Sequence, residues 1–274
     1  MDSTPPSSAT SSVSVTPPPI AVQLYSLREE SKANFAEVLE RVGAMGYVGV
    51  ELAGLHEMLP DRFSSVLASA GLHVASAHVG DLTSDPFTAA LDELQAVGCT
   101  TVVGAFLPPA AFADLDAIKR SADVLNAANA RASARRIKFG YHNHWWEFET
   151  MIDGRSAWSH LLALLDSDVF IELDLSWATV GGADLVAVVG DLGERLRILH
   201  VKDGPADDPK NAMVAVGSGS VDIRGVLEAA GSRAQWHVVE LDRCDTDMFQ
   251  AVADSYSFLT SNRLSTGRRL GEWT

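Results

Sequence analysis

From residue 20 to residue 259, short apolar runs alternate with amphipathic stretches. Strand-like runs fall at 20–24, 47–52 and 73–78, directly after Cys99, and at 137–142, 169–174, 196–202 and 236–241. Between and after them, apolar residues recur at the three- and four-residue spacing of a helix at 34–43, 61–70, 86–97, 115–135, 156–165, 183–189, 223–230 and 248–259. Near-continuous apolar strands separated by helices predict a parallel sheet covered on both faces. Eight such units predict a closed (β/α)8 barrel, an α/β fold, rather than an open doubly wound sheet. No Gly-x-Gly-x-x-Gly follows the first strand, which counts against dinucleotide binding.

The ends of the chain are of different material. Residues 1–19 are mostly Ser, Thr and Pro without Lys or Arg, so they cannot bury a core and read as a disordered tail. They lack the basic start and apolar run of a secretory signal and the arginines of a transit peptide. The barrel is expected over 20–260, with a second polar tail at 261–274. The chain carries 36 acidic against 21 basic residues, a formal net charge of −15. That surface repels phosphate backbones, and the Arg268–Arg269 pair is too small a basic patch to make nucleic acid a partner. No stretch approaches the roughly 20 apolar residues of a membrane span. Cys99 and Cys244 stand far apart in no metal-ligand spacing, which suits two reduced thiols in a cytoplasmic enzyme.

The chemistry is concentrated where the strands end. Strand after strand runs apolar and then closes on polar side chains: Gln23 and Tyr25, Glu51, His78, His142 and His144, Asp174, His200 and Lys202, Glu240 and Asp242. In such a barrel the C-terminal strand ends form the active-site mouth. Carboxylates and imidazoles converging there outline a divalent-metal site. Alternation along a strand turns His142 and His144 to one face, and likewise His200 and Lys202. Glu172, two residues before Asp174, is expected deeper in the barrel with a structural partner. Trp145, Trp146 and Trp177 follow strand ends, either as core or as an apolar platform for a sugar ring. Tyr25 reads as mouth or core, and Glu147 as substrate contact or solvated loop charge.

At these positions the chain resembles the xylose isomerase-like TIM-barrel superfamily of sugar phosphate isomerases and epimerases, with its inosose isomerases and dehydratases and its ketose 3-epimerases. The carriers are Val22-Gln-Leu-Tyr-Ser-Leu-Arg28, Gly46-Tyr-Val-Gly-Val-Glu51, Tyr141-His-Asn-His-Trp-Trp-Glu-Phe148, Leu173-Asp-Leu-Ser-Trp177 with Gly181-Gly-Ala-Asp184, Leu199-His-Val-Lys-Asp203, Val216-Gly-Ser-Gly-Ser-Val-Asp222 and Val238-Val-Glu240. The resemblance covers about 20–260. It implies one divalent metal held by His142, Asp174, His200 and Glu240, with Mn²⁺ the first choice and Co²⁺, Zn²⁺ and Mg²⁺ also accommodated. Relatives often carry Glu where this chain has His142, and the ketose epimerases carry a substrate-binding His where it has Trp177.

The expected function is a metal-dependent sugar or polyol isomerase or epimerase that works through an enediolate formed next to a carbonyl. Glu240 is the first candidate base and His144 the second, and Lys202 would stabilise an oxyanion. Gln23, Tyr25, Glu51, His78, Trp145, Trp146, Glu147 and Trp177 are the candidate substrate contacts. Expulsion of a β-substituent would make the enzyme a dehydratase or lyase on a keto-sugar or keto-inositol instead. Two other classes are weighed on the same fold. A DNA-repair endonuclease would need more metal ligands and a basic groove, and a non-catalytic sugar-binding barrel would show broken ligands. The partner is then a small sugar or polyol, without nucleic acid or membrane, and a homodimer is compatible with it. The loop 216–220 is a modest candidate phosphate cradle, so phosphorylated substrates are not favoured.

Overall fold

A computed structural model describes residues 16–268. Most of the N-terminal stretch read as a tail, and the last six residues, lie outside the described residues. Eight parallel strands close into a barrel: β1 (Ile20–Gln23), β2 (Gly49–Leu52), β3 (His73–Val79), β4 (Thr101–Gly104), β5 (Lys138–His142), β6 (Phe170–Asp174), β7 (Leu196–Val201) and β8 (Trp236–Val239). Each pairs with its sequence neighbours, and β1 closes on β8 through Ala21 opposite Val238. Eight helices cover the outside: α1 (Arg28–Met45), α2 (Pro60–Ala70), α3 (Ser84–Ala96), α4 (Leu115–Ser133), α5 (Ala157–Leu164), α6 (Leu185–Leu192), α7 (Ile223–Ala230) and α8 (Met248–Ser261). The architecture is the TIM barrel that the periodicity predicts.

Local chemistry explains the helix starts. Asp114, Ser156, Asp184, Asp222 and Asp247 are N-caps whose side chains accept a backbone N–H from the first turn. The helix expected to begin at 34 begins six residues earlier, and α1 is kinked at Asn34, which has φ −156° and ψ 88°. Asn34 Oδ1 accepts the Glu37 N–H there, so the expected start is a real internal cap. Two short helices, Trp146–Glu149 and Leu175–Val180, follow β5 and β6, the first after three residues and the second at once. They are too short to show a period in the sequence.

The barrel interior is layered. At the N-terminal end Ala21, Ala75, Val103, Phe170, Ile198 and Val238 form an apolar plug. Gly140 makes room for it, since a Cβ there would come within 2.4 Å of the Phe170 ring. Two residues further along, the same face of the strands presents Gln23, Glu172, His200 and Glu240. The register shifts between Val50 and Glu51 in the β2–β3 pairing and between Ile171 and Glu172 in the β6–β7 pairing. The extra residue of each pairing lies on the second strand, Ala75 on β3 and Arg197 on β7, and changes which residues stand opposite Glu51 and Glu172. The first and last described residues meet at the opposite end of the barrel, where the Thr266 N–H donates to Pro18 O and the Arg268 guanidinium donates to the carbonyls of Ala70 and Gly71. Among the described residues no helix is long and apolar enough to cross a membrane.

Candidate metal centre and its cavity

A cavity of about 300 Å³ opens at the C-terminal strand ends, walled by Tyr25, His78, Phe106, His142, His144, Lys202, Glu240 and Asp242. At its floor one ligand atom from each of His142, Asp174, His200 and Glu240 lies within 4.8 Å of the others. All four side chains are buried. Two imidazoles and two carboxylates suit a divalent cation of the Mn²⁺, Zn²⁺ or Co²⁺ kind. Asp174 Oδ2 supports the fit. It is buried at the floor, facing the Lys202 ammonium at 2.9 Å and His142 Nε2 at 3.6 Å. Asp174 Oδ1 is engaged, because it caps the helix Leu175–Val180 by accepting the Trp177 N–H at 2.8 Å. A buried His, Glu and Asp cluster able to hold a metal is therefore present.

Charge is densely packed around this floor. The Lys202 ammonium, itself buried, sits 2.7 Å from Glu240 Oε2, 2.7 Å from Asp242 Oδ2 and 2.9 Å from Asp174 Oδ2. Against burial, Lys202 and His200 hold the Glu240 carboxyl well below the usual carboxylate range. Burial pushes Asp174 up to about 6, with Lys202 and His200 opposing it. Burial pushes His142 down to about 3, so its ring is neutral and its nitrogen lone pair is free to ligate. Against burial, Glu172, Glu51 and Glu240 hold His200 well above the usual imidazole range. A cation at Glu240 would have to displace a proton from His200 Nδ1, which now faces Glu240 Oε2 at 2.8 Å.

Beneath lies a second polar layer. Gln23 Nε2 donates to Glu51 Oε2 at 2.8 Å and Ser76 Oγ to Glu51 Oε1 at 2.6 Å. Glu51 Oε2 is 2.5 Å from His200 Nε2. Gln23 and Glu51 are fully buried and do not wall the cavity. They brace His200 from below. Glu172 has three imidazoles as its partners: its Oε1 lies 2.6 Å from His78 Nε2, 3.1 Å from His142 Nδ1 and 3.0 Å from His200 Nε2.

The aromatic residues after β5 and β6 are arranged around His144. Its ring stacks on Trp146 at 4.4 Å and 8°, with Phe106 edge-on at 5.2 Å and Trp177 at 6.3 Å. Trp145 packs against both other tryptophans. Trp146 and Trp177 are buried, and none of the three walls the cavity. Glu147 is fully buried as well. Its Oε1 accepts the Tyr141 hydroxyl and its Oε2 the His144 backbone N–H, and burial raises its carboxyl to about 7. It holds the turn that carries His144. His144 Nδ1 is buried without a hydrogen-bond partner. Tyr25, in contrast, is exposed at the rim under the Arg28 guanidinium, which lies 4.3 Å from its ring centroid.

The sequence reading misses Phe106 as a wall. Its signal was an aromatic two residues past the end of β4, the one strand without a polar terminus. The loop 216–220 differs from its reading as a phosphate cradle. The N–H groups of Gly217 and Gly219 are already donated to Asp203 Oδ2, at 2.9 and 3.0 Å, and those of Gly204 and Val221 to Oδ1. A carboxylate from the chain itself fills the place an anion would take.

The family model described as xylose isomerase-like TIM barrel matches residues 39–259. No curated protein matches the chain. Among solved structures, a sugar phosphate isomerase/epimerase from Parabacteroides distasonis superposes with a TM-score of 0.79 at 22% identity, covering 96% of this chain and 100% of that one. An L-ribulose 3-epimerase gives 0.64 at 13% identity, covering 90% and 94%. An IolI protein with a bound zinc atom gives 0.69 at 15% identity, covering 90% and 98%.

Proposed function

Because the chain belongs to the xylose isomerase-like TIM-barrel family, we propose that it is a metal-dependent isomerase or epimerase of a sugar or polyol, moving a proton beside a carbonyl. One observation carries this reading. His142, Asp174, His200 and Glu240 converge on the floor of a cavity that also presents His144, with an unpartnered ring nitrogen. When bound, a divalent cation polarises a carbonyl and the hydroxyl next to it, which acidifies the intervening C–H. Mn²⁺ is the first choice. The zinc atom in the IolI protein of the same fold makes Zn²⁺ the next.

The chain's own groups supply the rest. Glu240 is the carboxylate at the floor that takes up and returns a proton, and His144 is the second such group in the same cavity. Lys202 offers its ammonium to a developing oxyanion, held in place by Asp242. Tyr25 and Phe106 present aromatic faces to the C–H side of a sugar ring. Gln23, Glu51, Trp145, Trp146, Glu147 and Trp177 act through the histidines they brace rather than by touching substrate. An uncharged substrate fits better than a phosphorylated one. The cavity wall carries the carboxylates of Glu240 and Asp242, and the glycine-rich loop has its N–H groups taken by Asp203.

His142 stands where relatives often carry Glu, and in the ketose epimerases that carboxylate is one of two opposed acid–base groups. This favours as a second reading a dehydratase or lyase, which removes one proton and expels a β-substituent. Both readings require exchange of the proton next to the carbonyl. Metal-loaded protein should therefore incorporate solvent deuterium at that carbon of a keto-sugar or keto-inositol, and Glu240→Gln should stop the exchange. If His144→Ala stops it and Glu240→Gln does not, the imidazole is the base. No deuterium uptake across such substrates contradicts both readings.

A further inference from the structure

We infer that the N-terminal end of the barrel binds a small phosphate monoester, in a cavity of about 330 Å³ walled by Arg136, Lys138 and Arg197. This site lies at the opposite end of the strands from the candidate metal centre and does not depend on it. Lys138 opens β5, Phe170 opens β6 and Arg197 is the second residue of β7. Arg136 stands in the turn between α4 and β5. Among the described residues the only acid on this wall is Asp168, whose Oδ1 already accepts the Asn129 amide at 2.9 Å. The three cationic side chains have no hydrogen bond or ion pair among the described residues.

That arrangement runs against the composition. With 36 acidic residues to 21 basic, a surface cation readily finds an acid, as Arg135 does by pairing with Asp92 at 2.8 Å. Three unpaired cations around one cavity instead repel one another. Two of them also sit on irregular backbone. Arg136 has φ +61° just past the end of α4, a place where glycine is the ordinary residue. Arg197 is the extra residue of the β6–β7 pairing, and such bulges re-aim a side chain and are common beside functional sites. The negative end of the α4 dipole accounts for a cation near Arg136. It does not account for Lys138 or Arg197, which lie on strands.

The chemistry of the wall identifies the occupant. Three cations against one carboxylate complement a dianion, and a phosphate monoester carries about −1.5 to −2 at neutral pH. Guanidinium groups hold phosphate oxygens with paired N–H donors, and lysine adds a compact charge. Ser133 places a hydroxyl on the same wall, and Phe139 and Phe170 supply its apolar part, against which the C–H side of a small organic body can rest. The volume is at the lower end for small-molecule pockets, which suits a body of sugar size. An occupant would lie against the starts of β5, β6 and β7, whose other ends carry His142, Asp174 and His200.

The test is a ¹H–¹⁵N NMR titration of the full chain with glucose 6-phosphate, at an ionic strength held constant with NaCl. Glucose and glucuronate are the controls. The expected result is saturable shifts at the amides of Ser133, Lys138 and Arg197 with the phosphate, none there with glucose, and weaker binding of glucuronate, which carries a single charge. Arg197→Gln and Arg136→Gly should each weaken the phosphate by about tenfold or more, the loss of one charged hydrogen-bonding partner. Arg136→Gly should also leave the thermal midpoint unchanged or higher, because glycine adopts that backbone without strain, so folding does not obscure the result. No saturable shift at these amides, shifts confined to the cavity of Lys202, or unchanged binding in both variants would each overturn the site. Glucuronate binding as tightly as glucose 6-phosphate would overturn its assignment to phosphate. The titration of the natural chain decides the matter whatever the variants do.

Discussion

Asp174 does two things with its two oxygens. Oδ1 caps a helix, and Oδ2 points at the cavity floor, where the Lys202 ammonium is its near neighbour. Lys202 is in turn surrounded by Asp174, Glu240 and Asp242, so in the fold described it neutralises two of the four candidate ligands. A dication entering there meets a like charge at close range. Two such charges a few ångströms apart repel by several kcal/mol even at an effective dielectric near 20. Lys202→Met should accordingly raise affinity for Mn²⁺ or Zn²⁺ by about tenfold or more, as read by titration calorimetry, while turnover falls because the oxyanion partner is gone. Weaker metal binding in this variant would show that Lys202 supports the ligands rather than competing with the cation.

At the level of elements, the loop after β7 is organised by one side chain. Asp203 is buried and accepts four backbone N–H groups, from Gly204, Gly217, Gly219 and Val221. Gly219 permits this, since a Cβ there would lie 2.1 Å from Asp203 Oδ1. Asp203→Ala should cost about 1–3 kcal/mol, the penalty of buried donors left without acceptors. The loss would be seen in urea unfolding and in faster hydrogen exchange at Gly217, Gly219 and Val221. Unchanged exchange at these amides would mean that the loop holds its own shape.

The elements also show what the sequence could and could not reveal. Helices such as Ile223–Ala230 are legible to the residue because an Asp cap and a strong apolar stripe mark them. The strand-end residues are legible because His142, Asp174, His200 and Glu240 interrupt apolar runs at the point where a barrel opens. The layer beneath is less so. Gln23 and Glu51 look in sequence like mouth residues, yet a polar residue at a strand end does not reveal its depth, and these two are fully buried and hydrogen-bonded to each other beneath the floor. In sequence Trp146 and Trp177 are equally core or sugar platform. The two short helices after β5 and β6, invisible to periodicity, turn their rings inward around His144. The anion-binding look of 216–220 is cancelled by a carboxylate thirteen residues before it, a contact no local pattern encodes.

Across the whole molecule the barrel separates its tasks by end. The C-terminal strand ends gather the ionisable side chains of the cavity, while the N-terminal end is an apolar plug beside which Pro18 and Pro19 bond to Thr266 and His237. His237 lies at that closed end. It is buried against Ser265, and burial lowers its imidazole from the ordinary 6.5 to about 4. Between these values the unfolded chain binds a proton that the folded chain does not. Its contribution to stability is full above about pH 6.5 and is lost as pH falls towards 4, by about 3 kcal/mol. Glu147 works in the opposite sense, because its raised carboxyl loses stability as pH rises through the range below 7. The His237 effect is therefore to be read as a difference. Relative to the natural chain, His237→Gln should lose less stability between pH 6.5 and 4 in parallel urea titrations, and identical pH profiles would contradict the assignment.

The central claim is that four strand ends, on β5 to β8, build one divalent-metal site at the cavity floor. Its most direct measurement is the metal content of the natural chain and of Asp174→Ala, each loaded with Mn²⁺ or Zn²⁺ without chelator and freed of excess. Circular dichroism reports whether the barrel is intact. The lost helix cap costs about 1 kcal/mol, small against the 5–15 kcal/mol of a typical domain, so the variant should fold. One metal per natural chain and almost none in the folded variant are expected. Equal metal in both proteins, or none in the natural chain, would contradict it.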